Sequence, residues 1–190
     1  MGRLRITGGT LRGRYIRTPP GSPLRPTAER VREALFSILG DWVEGAHALD
    51  LFAGTGALGI EALSRGAKKC VFVEKGLKEW LTLRENLRSL GIEEERWEAR
   101  RAEAIAYLKE AAKKRISFDV AFLDPPYGQP VGEECLVLLE RANLIKIGGI
   151  VVFESRRGWN PPALERLTLE GRRRYGDTEL FIFSFDGGSR

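Results

Sequence analysis

The stretch FLDPPYGQP, residues 122–130, sets an aspartate, two prolines and a tyrosine directly behind an apolar run. Proline fixes φ and has no N–H, and it holds the residue before it extended. Pro125 and Pro126 therefore make the turn rigid and leave the Pro125 carbonyl free to accept. With the Asp124 carboxylate that makes two acceptors beside the ring of Tyr127. Two acceptors can grip the two hydrogens of an exocyclic base amine, and an aromatic ring can stack on the base that carries it. Such an amine is a poor nucleophile because its lone pair is delocalised into the ring. Drawing its hydrogens out of plane turns the lone pair toward an electrophile. Group transfer to it then needs positioning more than a strong base, with the proton lost afterwards to Asp124 or water. A paired base would first have to be flipped out.

A second constellation is ALDLFAGTGALGIEA, where Gly54, Gly56 and Gly59 stand in GxGxxG spacing between a strand and a helix. Ligands approach bare backbone at such a turn, and the default ligand is a dinucleotide. Glu74, at the end of the next strand, could hold ribose hydroxyls. Asp50 changes the balance, because a carboxylate just upstream of the loop would repel a pyrophosphate. It suits a ligand with an ammonium beside a carboxylate, such as the methionyl end of S-adenosylmethionine. Glu103, in RRAEAIAYL, would fall near the adenine of that ligand, although an acid in a first helical turn is also an ordinary cap.

These residues need a frame. A chain of 190 residues, 43% hydrophobic, can bury one sizeable core, which fits one main domain with a short appendage. No apolar run is long enough to span a bilayer and MGRLRITGG lacks the apolar stretch of a signal peptide, so a soluble cytoplasmic protein without a membrane partner is expected. Cys70 and Cys135 form no CxxC pair and His47 stands alone. Neither a disulfide framework nor a metal site is indicated, and the chemistry must proceed without a histidine base. Net charge is +5, and Arg3, Arg5, Arg12, Arg14, Arg17 and Arg25 all precede the first acid, Glu29. That basic arm, with Arg156 and Arg157 and the run Arg172, Arg173, Arg174, points to nucleic acid.

Along the chain, RLRIT and GRYIR read as a small hairpin followed by a Pro-rich connection, an extension over 1–22 ahead of a main domain over 23–190. RPTAERVREALFSILG spaces Val31, Ala34, Leu35, Ile38 and Leu39 as one helical face, with Thr27 as N-cap and Gly40 as stop. From residue 46 strands and helices alternate: HALDLF, a helix over about 57–66, CVFVE, a helix over about 77–90, a weak strand near 97–100, a helix over about 102–113, FDVAFLD, a helix over about 132–143, and GGIVVFES. Strands apolar on both faces argue a parallel sheet covered by helices on both sides. Two strand-like runs joined through YGD read as a closing antiparallel hairpin.

Asp50 with FAGTGALG, Glu74 and DPPY together resemble the class I S-adenosylmethionine-dependent methyltransferases that act on amino groups. RITGGTLRGRYIRTP, RPTAERVREALFSIL and RYGDTELFIF further resemble the RsmD family, which methylates the exocyclic N2 of a guanine in bacterial 16S ribosomal RNA. The resemblance covers nearly the whole chain. It implies an α/β, Rossmann-like fold whose seven-stranded, mostly parallel sheet has the order 3-2-1-4-5-7-6, with an N-terminal β-hairpin extension. It implies S-adenosylmethionine as cofactor, the small ribosomal subunit or its assembly intermediate as partner, and a monomer. On this chain Asp50, Gly54 and Gly56 would line the methionyl end, Glu74 the ribose and Glu103 the adenine, with Phe52, Lys75 and Ala104 also expected at the cofactor. Asp124, Pro125 and Tyr127 would hold the guanine. Arg12, Arg14, Arg30, Arg172, Arg173 and Arg174 are candidate phosphate contacts, argued from charge. The alternatives are another amino methyltransferase, acting on DNA adenine N6 or a protein glutamine, a non-catalytic RNA-binding assembly factor, and a dinucleotide oxidoreductase.

Overall fold

The computed structural model describes residues 2–19 and 26–186, with side chains from residue 29 onward in the first helix. Strands β1 (Gly2–Arg5) and β2 (Tyr15–Thr18) pair as an antiparallel hairpin. Helix α1 (Pro26–Leu39) leads to the first strand of the main sheet, β3 (His47–Asp50). There follow α2 (Ala57–Ser64), β4 (Lys69–Glu74), α3 (Leu77–Ser89), β5 (Trp97–Arg101), α4 (Ala104–Lys113), β6 (Phe118–Leu123) and α5 (Val131–Arg141). The chain closes through β7 (Ile145–Arg156), β8 (Leu167–Tyr175) and β9 (Thr178–Phe185). The sheet runs β5-β4-β3-β6-β7-β9-β8, which is 3-2-1-4-5-7-6 when its strands are numbered from β3, as the resemblance implied. Pairing is parallel from β5 to β7 and antiparallel through β9. Among the described residues no helix is long and apolar enough to cross a membrane.

Both faces of the sheet are buried, which is why the strands are continuous apolar runs. Ala48, Phe72, Val120, Phe122 and Val152 pack with residues of α1, α2 and α3. Leu49, Val71, Ala121 and Val151 pack with α4 and α5 on the other face. Side chains alternate with period two along a strand. Continuing from Phe72, Ala48, Phe122 and Val152, the next positions on the α1–α3 face are Glu74, Asp50, Asp124 and Glu154. Four acids therefore form a row on one face, at the carboxyl ends of the neighbouring strands β4, β3, β6 and β7. This is the edge where open α/β sheets bind ligands.

The hairpin is fastened to this face. Ile6 and Ile16 are buried in the same cluster as Leu35 and Phe36. Glu61 of α2 is buried and accepts from the Thr7 and Gly8 N–H groups and from Thr7 Oγ1. It also pairs with Arg32 at 3.1 Å and Arg65 at 3.0 Å, so the buried charge is paired and hydrogen-bonded. The expected boundary at 22/23 and Arg25 lie outside the described residues; α1 starts at Pro26, one residue before the expected Thr27 cap, whose side chain is not described.

Helix α1 is rotated from the expected phase. Arg32 and Phe36 are buried and Ile38 is 41% exposed, because the Arg32 guanidinium turns inward to Glu61 and to the Arg5 carbonyl. Gly40 ends the helix as expected, with φ +50 leading into a 3₁₀ turn over Gly40–Val43.

Candidate active site

The turn after β3 uses each glycine differently. Gly54 has φ +53 with no atom within 4 Å of a built Cβ, so its left-handed turn faces open space. A Cβ on Gly59 would lie 2.2 Å from the Phe72 ring and 2.7 Å from Cys70 Sγ, so this glycine lets α2 close on the sheet. Glu74 reaches across from β4, accepting from Gly54 N–H at 2.8 Å and from Gly76 N–H at 2.7 Å. Its carboxylate thus shapes two turns while each oxygen keeps a second lone pair. Asp50, expected to face a ligand ammonium, is 2% exposed and accepts instead from Gly59 N–H at 2.9 Å. It braces the loop. Burial, opposed by the Gly59 bond and aided by Glu74, pushes its carboxyl up to about 7.

Lys75 and Glu103, at the ends of β4 and β5, stand 4.0 Å apart on the exposed rim. Phe52 is half-buried and Ala104 is buried at the start of α4. Gly54, with open space before it, and the spare lone pairs of Glu74 fit an adenosyl ligand laid over the carboxyl ends of β3 and β4. Among the described residues no group of three or more His, Cys, Asp or Glu side chains could hold a metal.

Beside this turn lies a cavity of about 720 Å³. One wall is α1 and β1, with Val31, Leu35 and Leu4; it reaches the first turn of α2 at Ala57 and Leu58. The DPPY turn forms another wall and the β8–β9 turn, from Tyr175 to Thr178, closes the far side. Asp124 lines the cavity and is exposed. Loss of water, then Glu154, then Asp50 hold its carboxyl well above the usual carboxylate range. It accepts no hydrogen bond from the described residues. Pro125 is buried, and Gly132 of α5 leaves room for its ring, since a Cβ there would lie 2.5 Å from Pro125 Cγ. Tyr127 donates its hydroxyl to Glu154 Oε1 at 2.9 Å, and the Arg156 guanidinium lies 5.3 Å from its ring centroid. Burial raises the phenol to about 12, so it stays a donor.

A family model described as "Conserved hypothetical protein 95" matches residues 4–184. The chain belongs to that family. Ribosomal RNA small subunit methyltransferase D of Escherichia coli K12 is 37% identical over 154 residues, 81% of this chain and 75% of that protein. The protein of the same name from Buchnera aphidicola subsp. Acyrthosiphon pisum is 36% identical over 181 residues, 95% and 93% of the two chains. The solved structure of yhhF from Escherichia coli matches with a TM-score of 0.87 at 31% identity, over 98% of this chain and 100% of that one. The Thermus thermophilus 16S rRNA N2 G1207 methyltransferase RsmC, in complex with AdoMet and guanosine, matches at 0.69 with 22% identity, over 97% of this chain and 50% of that one. That last likeness is one of fold. Identity above a third across most of two chains groups the protein with the RsmD family, as its motifs implied, and it has the class I methyltransferase fold.

The candidate RNA-contacting arginines of this family member divide into two sets. Arg14 donates to the Leu90 and Ser89 carbonyls at 2.8 and 2.9 Å and so caps the C-terminus of α3. Arg172 and Arg174 clamp Glu179, whose side chain is fully buried, at 2.6 and 2.9 Å. Those bonds and Gly158 N–H hold Glu179 down at about 2. These three arginines are committed to the fold, whereas Arg12, Arg30 and Arg173 are exposed without an acidic partner among the described residues. Reasoning from the sequence passed over Glu154 and Thr178. The available signal was Glu154 standing two residues beyond Val152 in GGIVVFES, on the strand beside DPPY.

Proposed function

We propose that this protein transfers the methyl group of S-adenosylmethionine to the exocyclic N2 of a guanine in the 16S ribosomal RNA of the small subunit. The observation that carries the reading is Asp124, a carboxylate without a hydrogen-bond donor among the described residues, facing a cavity beside the Pro125 turn and a tethered tyrosine. Bound S-adenosylmethionine supplies an electrophilic methyl on a sulfonium. Glu74 holds the ribose, and Gly54, Gly56 and the start of α2 face the methionyl side, next to the base cavity. Asp124 and the Pro125 carbonyl accept the two amine hydrogens of the base, and Tyr127 offers its ring. The raised proton affinity of Asp124 suits it to take the proton released when the new N–C bond forms. The apolar walls from Leu4, Val31, Leu35 and Leu180 exclude water from the base. The hairpin arginines Arg3 and Arg17 face each other across β1 and β2 on the exposed side, an arrangement that like-charge repulsion disfavours and phosphate would relieve. The hairpin is accordingly read as the RNA-facing extension of the catalytic domain, and the names of the relatives support small-subunit RNA as the substrate.

The test offers labelled S-adenosylmethionine with undermethylated small subunits, naked ribosomal RNA, duplex DNA and total protein, using Asp124→Ala as control. Label released from subunit RNA as N2-methylguanosine, and absent with the variant, is the expected result. Label in adenine or in protein glutamine would replace the substrate. No label anywhere despite tight subunit binding would make the protein an assembly factor.

A further inference from the structure

The acid row contains one member that the mechanism above leaves idle. Register between β6 and β7 runs Phe122↔Val152 and Leu123↔Phe153, so the next step brings Asp124 beside Glu154 on the same face. Both line the base cavity, where their neighbours Leu123, Val152 and Leu180 are apolar. Glu154 is held in orientation by the Tyr127 hydroxyl, which also lies 3.4 Å from Thr178 Oγ1. The target pocket thus offers two side-by-side carboxyl groups, each an acceptor when ionised.

Base chemistry makes that pairing selective. Guanine carries its exocyclic amine next to N1–H, so its edge presents donors side by side. Adenine has a bare N1 and cytosine a bare N3 beside the amine, and a carboxylate there would meet a lone pair. A site built to accept a hydrogen rejects the analogue lacking it far more strongly than a hydrophobic wall rejects a wrong shape.

We propose that Glu154 is a specificity residue of the base pocket, accepting the N1–H of guanine beside the N2 amine held by Asp124 and Pro125. This rests on the guanine reading given above and deepens it. Glu154 also positions Tyr127, but its action on the base is separate from that bond. Arg156 lies over one face of the Tyr127 ring, which leaves the other face for the base.

The test uses the full chain and undermethylated small subunits. Glu154→Gln is isosteric and its amide oxygen still accepts from Tyr127, while its NH₂ can no longer accept from N1–H. Its kcat/KM for subunit RNA should fall by about 30-fold or more, the effect of an unpaired buried polar group, whereas Tyr127→Phe, which removes only the tether, should lose less than about five-fold. Guanosine and 2-aminopurine riboside are then compared as inhibitors; the second keeps the 2-amine but has no N1–H. Wild type should favour guanosine by about ten-fold or more, and Glu154→Gln should bring the ratio to within about two-fold. That ratio does not depend on the fraction of correctly folded variant. An unchanged ratio, equal or absent inhibition by both nucleosides in wild type, or equal losses in the two variants would overturn the role of Glu154. Label in a base other than guanine with the wild-type protein would instead overturn the reading beneath it.

Discussion

The acid row has two halves that differ in what stands behind each carboxylate. Asp50 and Glu74 sit before glycine turns, and the turns supply N–H donors: Gly59 to Asp50, Gly54 and Gly76 to Glu74. Asp124 and Glu154 sit at the same edge of the sheet, one side-chain step further along their strands than Asp50, but the turn behind Asp124 is Pro-Pro and has no N–H to give. The first pair is consumed in shaping backbone. In the second, Asp124 is left to a ligand and Glu154 is engaged by a side chain, Tyr127. An acid at a strand end therefore becomes a brace or a contact according to the donors in the next few residues. The glycines and prolines decide the role of the acids.

The comparison breaks most visibly at Asp124. Asp124→Ala should lower methyl transfer by about a thousand-fold or more, as expected when a positioning acceptor and proton acceptor are removed together. Because no backbone donor depends on it, S-adenosylmethionine affinity and melting temperature should both stay close to wild type. Calorimetry showing lost cofactor affinity would mean that the two halves are not separate.

Glu74 should behave in the opposite way. Glu74→Ala removes one carboxylate and orphans two N–H groups, so cofactor affinity should weaken by about 1–3 kcal/mol and the melting temperature should fall in the same variant. Unchanged affinity measured by calorimetry, with lowered stability, would leave Glu74 as a brace only and remove it from the ribose.

The alternating strands and helices and three of the four acids were legible because they depend on local signals: alternation of apolar runs, glycine spacing and a proline pair; the strand order came with the family resemblance. What was not legible depended on partners far away in sequence. Arg32 is not among the residues that read as the buried face of α1, and only Glu61, 29 residues on, turns it inward and rotates the helix. Arg14 reads as a phosphate contact until the end of α3, 75 residues away, is seen to need a cap. Charge composition counts the arginines at 172 and 174 as free, while a single buried acid, Glu179, holds both. The docking of the arm through Ile6, Ile16 and Glu61 likewise left no mark in its own sequence beyond two isolated apolar residues. Glu154 went unread because an acid closing a strand looks like a solvated end. Its meaning comes from the register with β6 that sets it beside Asp124.

The smallest effect on turnover should come from Asp50, and its signature is a pH dependence. The folded protein keeps the Asp50 proton up to about pH 7, whereas the ordinary value is 3.8. A group with a raised folded pKa stabilises fully below its unfolded pKa, loses that stabilisation as pH climbs to the folded value, and is flat beyond it. Asp50→Asn keeps an acceptor for Gly59 N–H and cannot ionise, so it should not share this loss. The shift is worth roughly 4 kcal/mol, so the melting temperature of the variant relative to wild type should rise by roughly 10 °C between about pH 4 and 7 and then level off, with any cost of burying the amide appearing as a constant offset. Asp50 also contributes, after burial and Glu154, to the raised proton affinity of Asp124, so the same change should ease its ionisation and move the acid limb of the rate profile to lower pH. A pH-independent difference in melting temperature would show that Asp50 is already satisfied as an anion. The brace and contact halves of the row would then be electrostatically independent.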